Sequence, residues 1–139
     1  MDMASGIESV ATEDAPRPAG HYSQGSAWRD LVFVSGQLGQ RPDGSHTFEA
    51  PFDEQAAQAL DNVLAILKAA DVGLEGIVRM TAYIAGVENW PAFNRIYAEK
   101  LGSSKPARTV VPVSELHHGY LVEVEAIGVR GIDRMVGAG

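Results

Sequence analysis

The chain contains no cysteine, and this absence excludes several kinds of site at once. Without thiols the protein cannot form disulfides, use a thiolate nucleophile, or hold zinc or an iron–sulfur cluster through cysteine. The absence also fits a reducing compartment. The 4 histidines further limit metal chemistry, so we expect no metal site.

Basic residues are fewer than acidic residues: the chain has 11 Lys and Arg and 18 Asp and Glu, which gives a formal charge of -7. So acidic a chain binds a phosphate backbone poorly, and nucleic acid is not an expected partner. Apolar runs are short, and none approaches the roughly 18 consecutive residues of a membrane span. The N-terminus also lacks a basic region followed by an apolar run. We therefore expect a cytoplasmic protein with no membrane partner.

The length of 139 residues, with 45% hydrophobic and 21% charged residues, is that of one globular domain. Residues 1–19 carry acidic residues and prolines without a hydrophobic period, which predicts a flexible N-terminal arm, either mobile or draped. Residues 20–130 are predicted to form a single domain, and residues 131–139 are predicted to form a C-terminal tail.

Two segments have helical periodicity. Between residues 53 and 70 the apolar side chains recur at steps of three and four, with acidic residues at the start and Lys68 near the end. Asn89 followed by Pro91 is typical of a helix N-terminus, and this second helix is predicted to stop before Gly102.

The remaining periodic segments indicate strands. Residues 31–36 are a nearly continuous apolar run, typical of a strand covered on both faces. Arg41-Pro42-Asp43-Gly44 has the composition of a tight turn and predicts a hairpin. Three more strands are predicted at residues 77–84, 108–113 and 120–129. The order predicts a two-layer α+β domain with both helices on one sheet face. Oligomerisation or solvent must then cover the other face.

Three charged residues on two predicted strands are candidates for chemistry. Arg108 starts a predicted strand, where a guanidinium could hold a carboxylate, although a solvated surface charge is the alternative. Glu123 and Glu125 project from one face of an apolar strand. Each is either paired with a positive group at an edge or interface, or serves as a general base that activates water.

Several polar residues near strand ends could line a pocket. Tyr22-Ser23-Gln24 and Ser35-Gly36-Gln37 offer hydroxyl and amide groups, but such groups also commonly satisfy nearby backbone atoms. Asn94 on the second helix is equally ambiguous. His117-His118 does not predict a metal site, since adjacent residues on extended backbone point to opposite faces.

Five segments carry a family resemblance: Gly20-His21-Tyr22-Ser23-Gln24, Leu31-Val32-Phe33-Val34-Ser35-Gly36-Gln37, Phe93-Asn94-Arg95-Ile96-Tyr97, Pro106-Ala107-Arg108-Thr109 and Val122-Glu123-Val124-Glu125-Ala126-Ile127. Together, in this order and spacing, they resemble the Rid family of reactive intermediate deaminases, also called YjgF or L-PSP proteins. The resemblance covers about residues 13 to 130.

The resemblance implies a fold similar to chorismate mutase, with a mixed sheet backed by two helices and a homotrimer built around a sheet-lined barrel. Ligand clefts would lie between subunits. It also implies cofactor-free hydrolysis of enamines and imines, such as 2-aminoacrylate and related 2-imino acids, to 2-keto acids and ammonia. By position, Arg108 would hold the substrate carboxylate and Glu123 would orient or activate water. The cleft would be shaped by Tyr22, Ser35, Gly36 and Asn94.

The chain departs from the family pattern at three positions. The family commonly has Pro in place of His21, Cys or Ser in place of Val110, and Pro in place of His117. Val110 is expected to make the pocket wall more apolar. The alternative function is a non-catalytic trimer that binds small carboxylates or keto acids as a sensor. Endoribonuclease activity, attached to some relatives, fits poorly with the charge of -7 and with the lack of a His or Lys pair at a recognisable spacing.

Overall fold

The computed structural model describes residues 6–132. These residues form six strands and two helices: β1 (Ile7–Val10), β2 (Gly25–Trp28), β3 (Leu31–Gln37), α1 (Phe52–Ala69), β4 (Ile77–Ala85), α2 (Trp90–Leu101), β5 (Ala107–Val113) and β6 (Val122–Val129). Single 3₁₀ turns lie at Leu74–Gly76, Val87–Asn89 and His117–Gly119. In this range no helix is long and apolar enough to cross a membrane.

The strands form one sheet in the order β1-β2-β3-β6-β4-β5. Strands β4 and β5 run parallel, and the other neighbouring pairs are antiparallel. Because α2 connects β4 to β5, this parallel pair is a β-α-β unit beside an antiparallel set. The prediction of an α+β domain with a mixed sheet and two helices is confirmed.

Both helices contribute to one hydrophobic core against the same face of the sheet. Helix α1 buries the stripe that includes Leu60, Val63 and Leu67, as its periodicity predicts. Helix α2 has Pro91 in its first turn and ends at Gly102, whose φ of 59° suits glycine. The bounds of both helices agree with the sequence prediction to within a residue or two.

The N-terminal segment contains a strand that the sequence did not predict, since residues 7–10 form β1, paired antiparallel with β2. Glu8 forms a two-pronged ion pair with Arg130, with both N···O distances 3.1 Å. The buried Gln24 side chain accepts a hydrogen bond from the Thr12 amide and donates to three carbonyl oxygens between residues 12 and 16. Strand β1 spans only four residues and depends on these distant partners, so its own sequence carries almost no strand signal. Residues 1–5 and 133–139 lie outside the described residues.

The predicted hairpin at residues 41–44 is also corrected. A tight turn does form there, since the Gly44 amide donates to the Arg41 carbonyl oxygen at 2.9 Å and Gly44 has a φ of 92°. No strand follows it before α1, and β3 pairs with β2 and β6 instead. The loop is held from the helix side, where the buried Asn62 amide donates to the carbonyl oxygens of Leu38 and Gln40.

The sheet face opposite the helices remains open in one chain. Strand β3 was predicted to be covered on both faces, but its side chains alternate between buried and exposed positions. Phe33 is 42% exposed and Trp28 is 43% exposed, and both lie on the outer face with Leu31 and Ile7. These four side chains form a contiguous apolar surface across β1, β2 and β3, which we call the outer apolar face.

Candidate functional site

A cavity of about 450 Å³ brings together four of the six predicted site residues. Tyr22, Ser35, Gly36 and Glu123 all line it, and they come from the segment before β2, from β3 and from β6. The cavity forms because β3 and β6 are neighbours in the sheet although they are far apart in sequence.

A bulge in β3 opens the sheet at this cavity. The pairing of β3 with β6 shifts between Val34 and Gln37, so Ser35 and Gly36 interrupt the regular register. A Cβ atom on Gly36 would lie 2.6 Å from Oε2 of Glu123, far inside a normal contact. The glycine therefore leaves the space that the Glu123 carboxylate occupies.

The two carboxylates of β6 have different surroundings. Glu125 accepts a hydrogen bond from the Tyr83 hydroxyl at 2.7 Å. Glu123 has no hydrogen-bond partner among residues 6–132. Burial raises the pKa of the Glu123 carboxyl above its usual range, the Glu125 charge adds to this rise, and His117 partly offsets it. Glu123 is therefore the carboxylate that is free to contact water or a ligand.

Ser35 and Tyr22 line the cavity in different ways. The Ser35 hydroxyl donates to the Ser23 carbonyl oxygen at 2.6 Å, so the donor is already used within the chain. Tyr22 is 52% exposed, and its hydroxyl accepts only a long hydrogen bond of 3.4 Å from the Ala19 amide. Of these two hydroxyls, that of Tyr22 is the more available to a ligand.

Arg108 lies elsewhere in the same chain. Its guanidinium is 5.0 Å from the ring centroid of Tyr97 and 5.9 Å from that of Phe93, both on α2. It has no carboxylate partner among the described residues, so its N–H groups are available to an anion. Arg108 also lines a separate cavity of about 190 Å³ beside Pro106.

One chain therefore does not bring Arg108 and Glu123 together. Arg108 lies opposite Met80, which lies opposite Ala126, so two strand spacings, roughly 10 Å, separate β5 from β6 at this point. The two side chains also leave opposite faces of the sheet, since Arg108 faces α2 and Glu123 lies on the outer face. Within one chain, the two predicted catalytic residues are therefore separated.

Two other predicted positions are not part of the Glu123 cavity. Asn94 is exposed on α2, next to Phe93, and lines neither of the two cavities. Val110, expected to form an apolar pocket wall, is instead buried in the hydrophobic core. Its apolar side chain is explained by packing against the helices.

The structure corrects the orientation of the two adjacent histidines. They lie in a 3₁₀ turn, not on extended backbone, and His118 has a φ of 61°. Their rings stack with centroids 3.8 Å apart, and His46 lies 4.9 Å from His118. Even so, residues 6–132 contain no group of three or more His, Cys, Asp or Glu side chains arranged to hold a metal ion.

Sequence reasoning missed two ionisable residues that line the Glu123 cavity. His117 reaches it through the 3₁₀ turn, which the sequence did not indicate. Arg17 reaches it from the segment treated as a mobile arm. A larger adjoining cavity of about 720 Å³ shares Arg17, Tyr22 and Gln24 with it. The proline on each side of Arg17 was the available signal for an ordered segment.

Comparison with known proteins finds relatives that match most of the chain. Residues 12–130 match the family model described as Endoribonuclease L-PSP. A RutC family protein of Pyrococcus horikoshii is 37% identical over 123 residues, which cover 88% of this chain and 98% of that protein. The 2-iminobutanoate/2-iminopropanoate deaminase of Capra hircus is 37% identical over 122 residues, with 88% of this chain and 89% of that protein covered. The crystal structure of E. coli TdcF with bound serine superposes with a TM-score of 0.83 at 32% identity, over 89% of this chain and 99% of that chain.

Proposed function

Since the chain belongs to the Endoribonuclease L-PSP family, as its five sequence segments predict, we propose that it hydrolyses small 2-imino acids to 2-keto acids and ammonia. A relative with 37% identity carries the name 2-iminobutanoate/2-iminopropanoate deaminase, which supports this reaction class. The proposal covers reactive enamines as well, because 2-aminoacrylate and its 2-imino form interconvert by proton transfer.

The observation that carries the proposal is the state of Glu123. Its carboxylate is half-buried, has no hydrogen-bond partner among residues 6–132, and borders a cavity large enough for a small acid. Burial raises its pKa, so it exchanges a proton more readily near neutral pH than an exposed glutamate does. These are the properties of a general base and acid, and they are absent from Glu125, which the Tyr83 hydroxyl occupies.

In the proposed reaction Glu123 accepts a proton from water while the water oxygen attacks C2 of the protonated imine. The resulting carbinolamine carries a hydroxyl and an amino group on C2. Protonated Glu123 then gives its proton to the nitrogen, and the hydroxyl proton passes back to the Glu123 carboxylate as the C–N bond breaks. Ammonia leaves as the keto group forms, and it removes this proton from Glu123 as ammonium. No electrons are transferred to an acceptor, so the reaction needs only water.

The substrate carboxylate is assigned to Arg108. Its guanidinium rests on the Phe93 and Tyr97 rings and has free N–H groups that match the two oxygens of a carboxylate. Because Arg108 and Glu123 lie apart in one chain, the proposed site combines Arg108 of one copy with Glu123 of another.

This arrangement requires an oligomer, and we assign a homotrimer. The outer apolar face, which includes Trp28, Leu31 and Phe33, is the surface available for the contact. Apolar side chains of this size are more stable when they are covered than when they face water. A cyclic arrangement would place each Glu123 cavity beside a neighbouring copy.

A coupled assay tests the reaction. A pyridoxal-phosphate serine or threonine dehydratase supplies the imine, and keto-acid release is followed with and without the protein. We expect faster release with it, while light scattering after gel filtration is expected to give the mass of a trimer. Binding of keto acids without any acceleration would favour the non-catalytic sensor. A monomer at micromolar concentration would remove the shared site.

A ribonuclease assay separates the remaining alternative. With a formal charge of -7 the chain is expected to bind RNA poorly. Any ribonuclease signal in a preparation should therefore be the same in the parent and in Arg108→Lys. A signal that follows the deaminase activity through purification and falls with this substitution would contradict the proposal.

A further inference from the structure

Arg17 is held at the rim of the Glu123 cavity by a stiff segment of chain. It lies between Pro16 and Pro18, so the neighbouring φ angles are fixed and Arg17 itself is restricted to extended conformations. The buried Gln24 side chain donates to the carbonyl oxygens of Ala15 and Pro16, at 3.2 and 2.9 Å. Pro16 and Arg17 both line the cavity. The backbone that carries the Arg17 side chain is therefore fixed before any ligand binds.

The Arg17 guanidinium is also unoccupied. Among residues 6–132 it makes no ion pair, hydrogen bond or ring contact, although the chain carries an excess of acidic residues. Of the other arginines of this range, Arg29 and Arg108 lie over aromatic rings, those of Trp28 and Tyr97. The remaining four direct N–H groups to partners in the chain: Arg41 to Glu54, Arg79 to Thr109, Arg95 to Asp53 and Arg130 to Glu8. An arginine left free at a cavity offers its donors to a carboxylate or phosphate that comes from outside.

The geometry points to Arg17 as the receptor for a second anionic group on the substrate. This inference rests on the proposed function, in which Arg108 of a neighbouring copy holds the carboxylate next to the imine carbon. Arg17 would then bind a carboxylate at the far end of the molecule. The preferred substrates would be 2-imino dicarboxylic acids, and the His117 ring lines the same cavity.

The substrate class indicates which reaction supplies it. Imines of aspartate and glutamate form directly when the Cα–N bond of the amino acid is oxidised by two electrons. These electrons pass to the flavin or nicotinamide of an amino-acid oxidase or dehydrogenase. The proposal therefore places the protein after an oxidative reaction as well as after an eliminating dehydratase.

The first test is equilibrium binding of keto acids. Because keto acids are the products of the proposed reaction, their binding can be measured without turnover. Calorimetry compares 2-oxoglutarate with 2-oxobutanoate on the full chain. The parent is expected to bind the dicarboxylate about tenfold more tightly, the scale of one charge-assisted contact. Arg17→Ala should lose this preference and keep its affinity for 2-oxobutanoate. The matched control is Arg41→Ala, which also removes one exposed arginine but not one that lines the cavity, and it should keep the preference.

The second test is turnover of imines made in situ by amino-acid oxidases from alanine and from aspartate, with semicarbazide as the competing trap. The parent should favour the aspartate-derived imine, and Arg17→Ala should lose only this preference.

Equal preferences in the parent and Arg17→Ala would overturn the inference. A similar loss for both imines would instead assign Arg17 to the carboxylate beside the reacting carbon, and a change in oligomeric mass would assign it to an intersubunit ion pair. If the parent hydrolyses neither imine, the proposed function fails, while the binding experiment still decides the role of Arg17.

Discussion

Replacing Gly36 by alanine tests the proposed role of Glu123 by moving its carboxylate without removing it. The added Cβ would stand 2.6 Å from Oε2 of Glu123, while ordinary contacts begin near 3.4 Å. The carboxylate must therefore retreat by about 0.8 Å, or the strand must yield by the same distance. The glutamate side chain is flexible and carries the clashing atom at its far end, so the carboxylate is the group that moves.

A displacement of this size is large for catalysis and small for folding. Catalytic groups need placement within about 0.5 Å, and a shift near 1 Å can lower a rate by about 10²-fold, or about 2.7 kcal/mol in activation free energy. Replacing glycine by alanine also restricts the unfolded chain, which offsets part of the strain by about 0.4–1 kcal/mol. We expect Gly36→Ala to lower kcat by about 10²-fold with little change in Tm.

The matched control is Gly73→Ala. A Cβ on Gly73 would also lie 2.6 Å from a glutamate oxygen, Oε1 of Glu75, but this glycine follows α1 and lies outside the Glu123 cavity. The coupled keto-acid assay and thermal melting are carried out on both variants. Parental kcat in Gly36→Ala would refute the role of the Glu123 position, and a similar loss in Gly73→Ala would show that the effect is not local.

Further substitutions test the remaining assignments. Arg108→Lys should lower kcat/KM at least about tenfold while the circular dichroism spectrum stays unchanged. The reason is that an ammonium group cannot reproduce the two-pronged contact with a carboxylate. Unaltered kinetics would make Arg108 a surface residue without a role in the site. Glu123→Gln should lower kcat about 10²-fold, whereas Glu125→Gln should keep turnover and lower Tm, and the reverse result would exchange their roles. Because burial raises the pKa of Glu123 and the base acts when ionised, parental kcat should fall as the pH drops through a value above the usual glutamate range, a limb that Glu123→Gln should lack. The raised pKa also means that ionised Glu123 weakens the fold at neutral pH, so Glu123→Gln should melt higher than the parent there and equally in acid. Gln24→Ala should lower the free energy of unfolding in urea by about 1–3 kcal/mol, and an unchanged midpoint would show that residues 12–16 are held by other contacts.

The elements that the sequence predicts well are those whose own side chains are periodic. Helix α1 and strands β4 and β6 bury every third, fourth or second residue, and this pattern is visible without knowing any partner. Strand β1 was missed because its four residues depend on Arg130 and on pairing with β2. The hairpin was wrongly predicted because turn chemistry at Gly44 is local, whereas the strand that pairs with β3 is chosen by the whole sheet.

In the candidate site, too, the features set by local sequence could be predicted and those set by distant partners could not. The acidic pair on β6 and the glycine of β3 could be singled out because they interrupt apolar strands. Their meeting could not be deduced from spacing alone, since it depends on β3 lying beside β6. His117 was assigned the wrong orientation because the conformation of a short 3₁₀ turn is set by its surroundings. Arg17 was overlooked because a segment without hydrophobic period was assumed to be loose.

The bulge in β3 suggests that the strand is one residue longer than its packing requires. Val34 and Gln37 both face inward although they are three residues apart in the sequence. In an unbroken strand, neighbouring side chains on the same face are two residues apart. A chain lacking Gly36 would keep Val34 and the glutamine on the inner side, Ser35 on the outer side, and an uninterrupted ladder to β6. Such a strand would satisfy the core equally well and would close the space beside Glu123. Packing of the core therefore does not require the extra residue, whereas the open space beside Glu123 does.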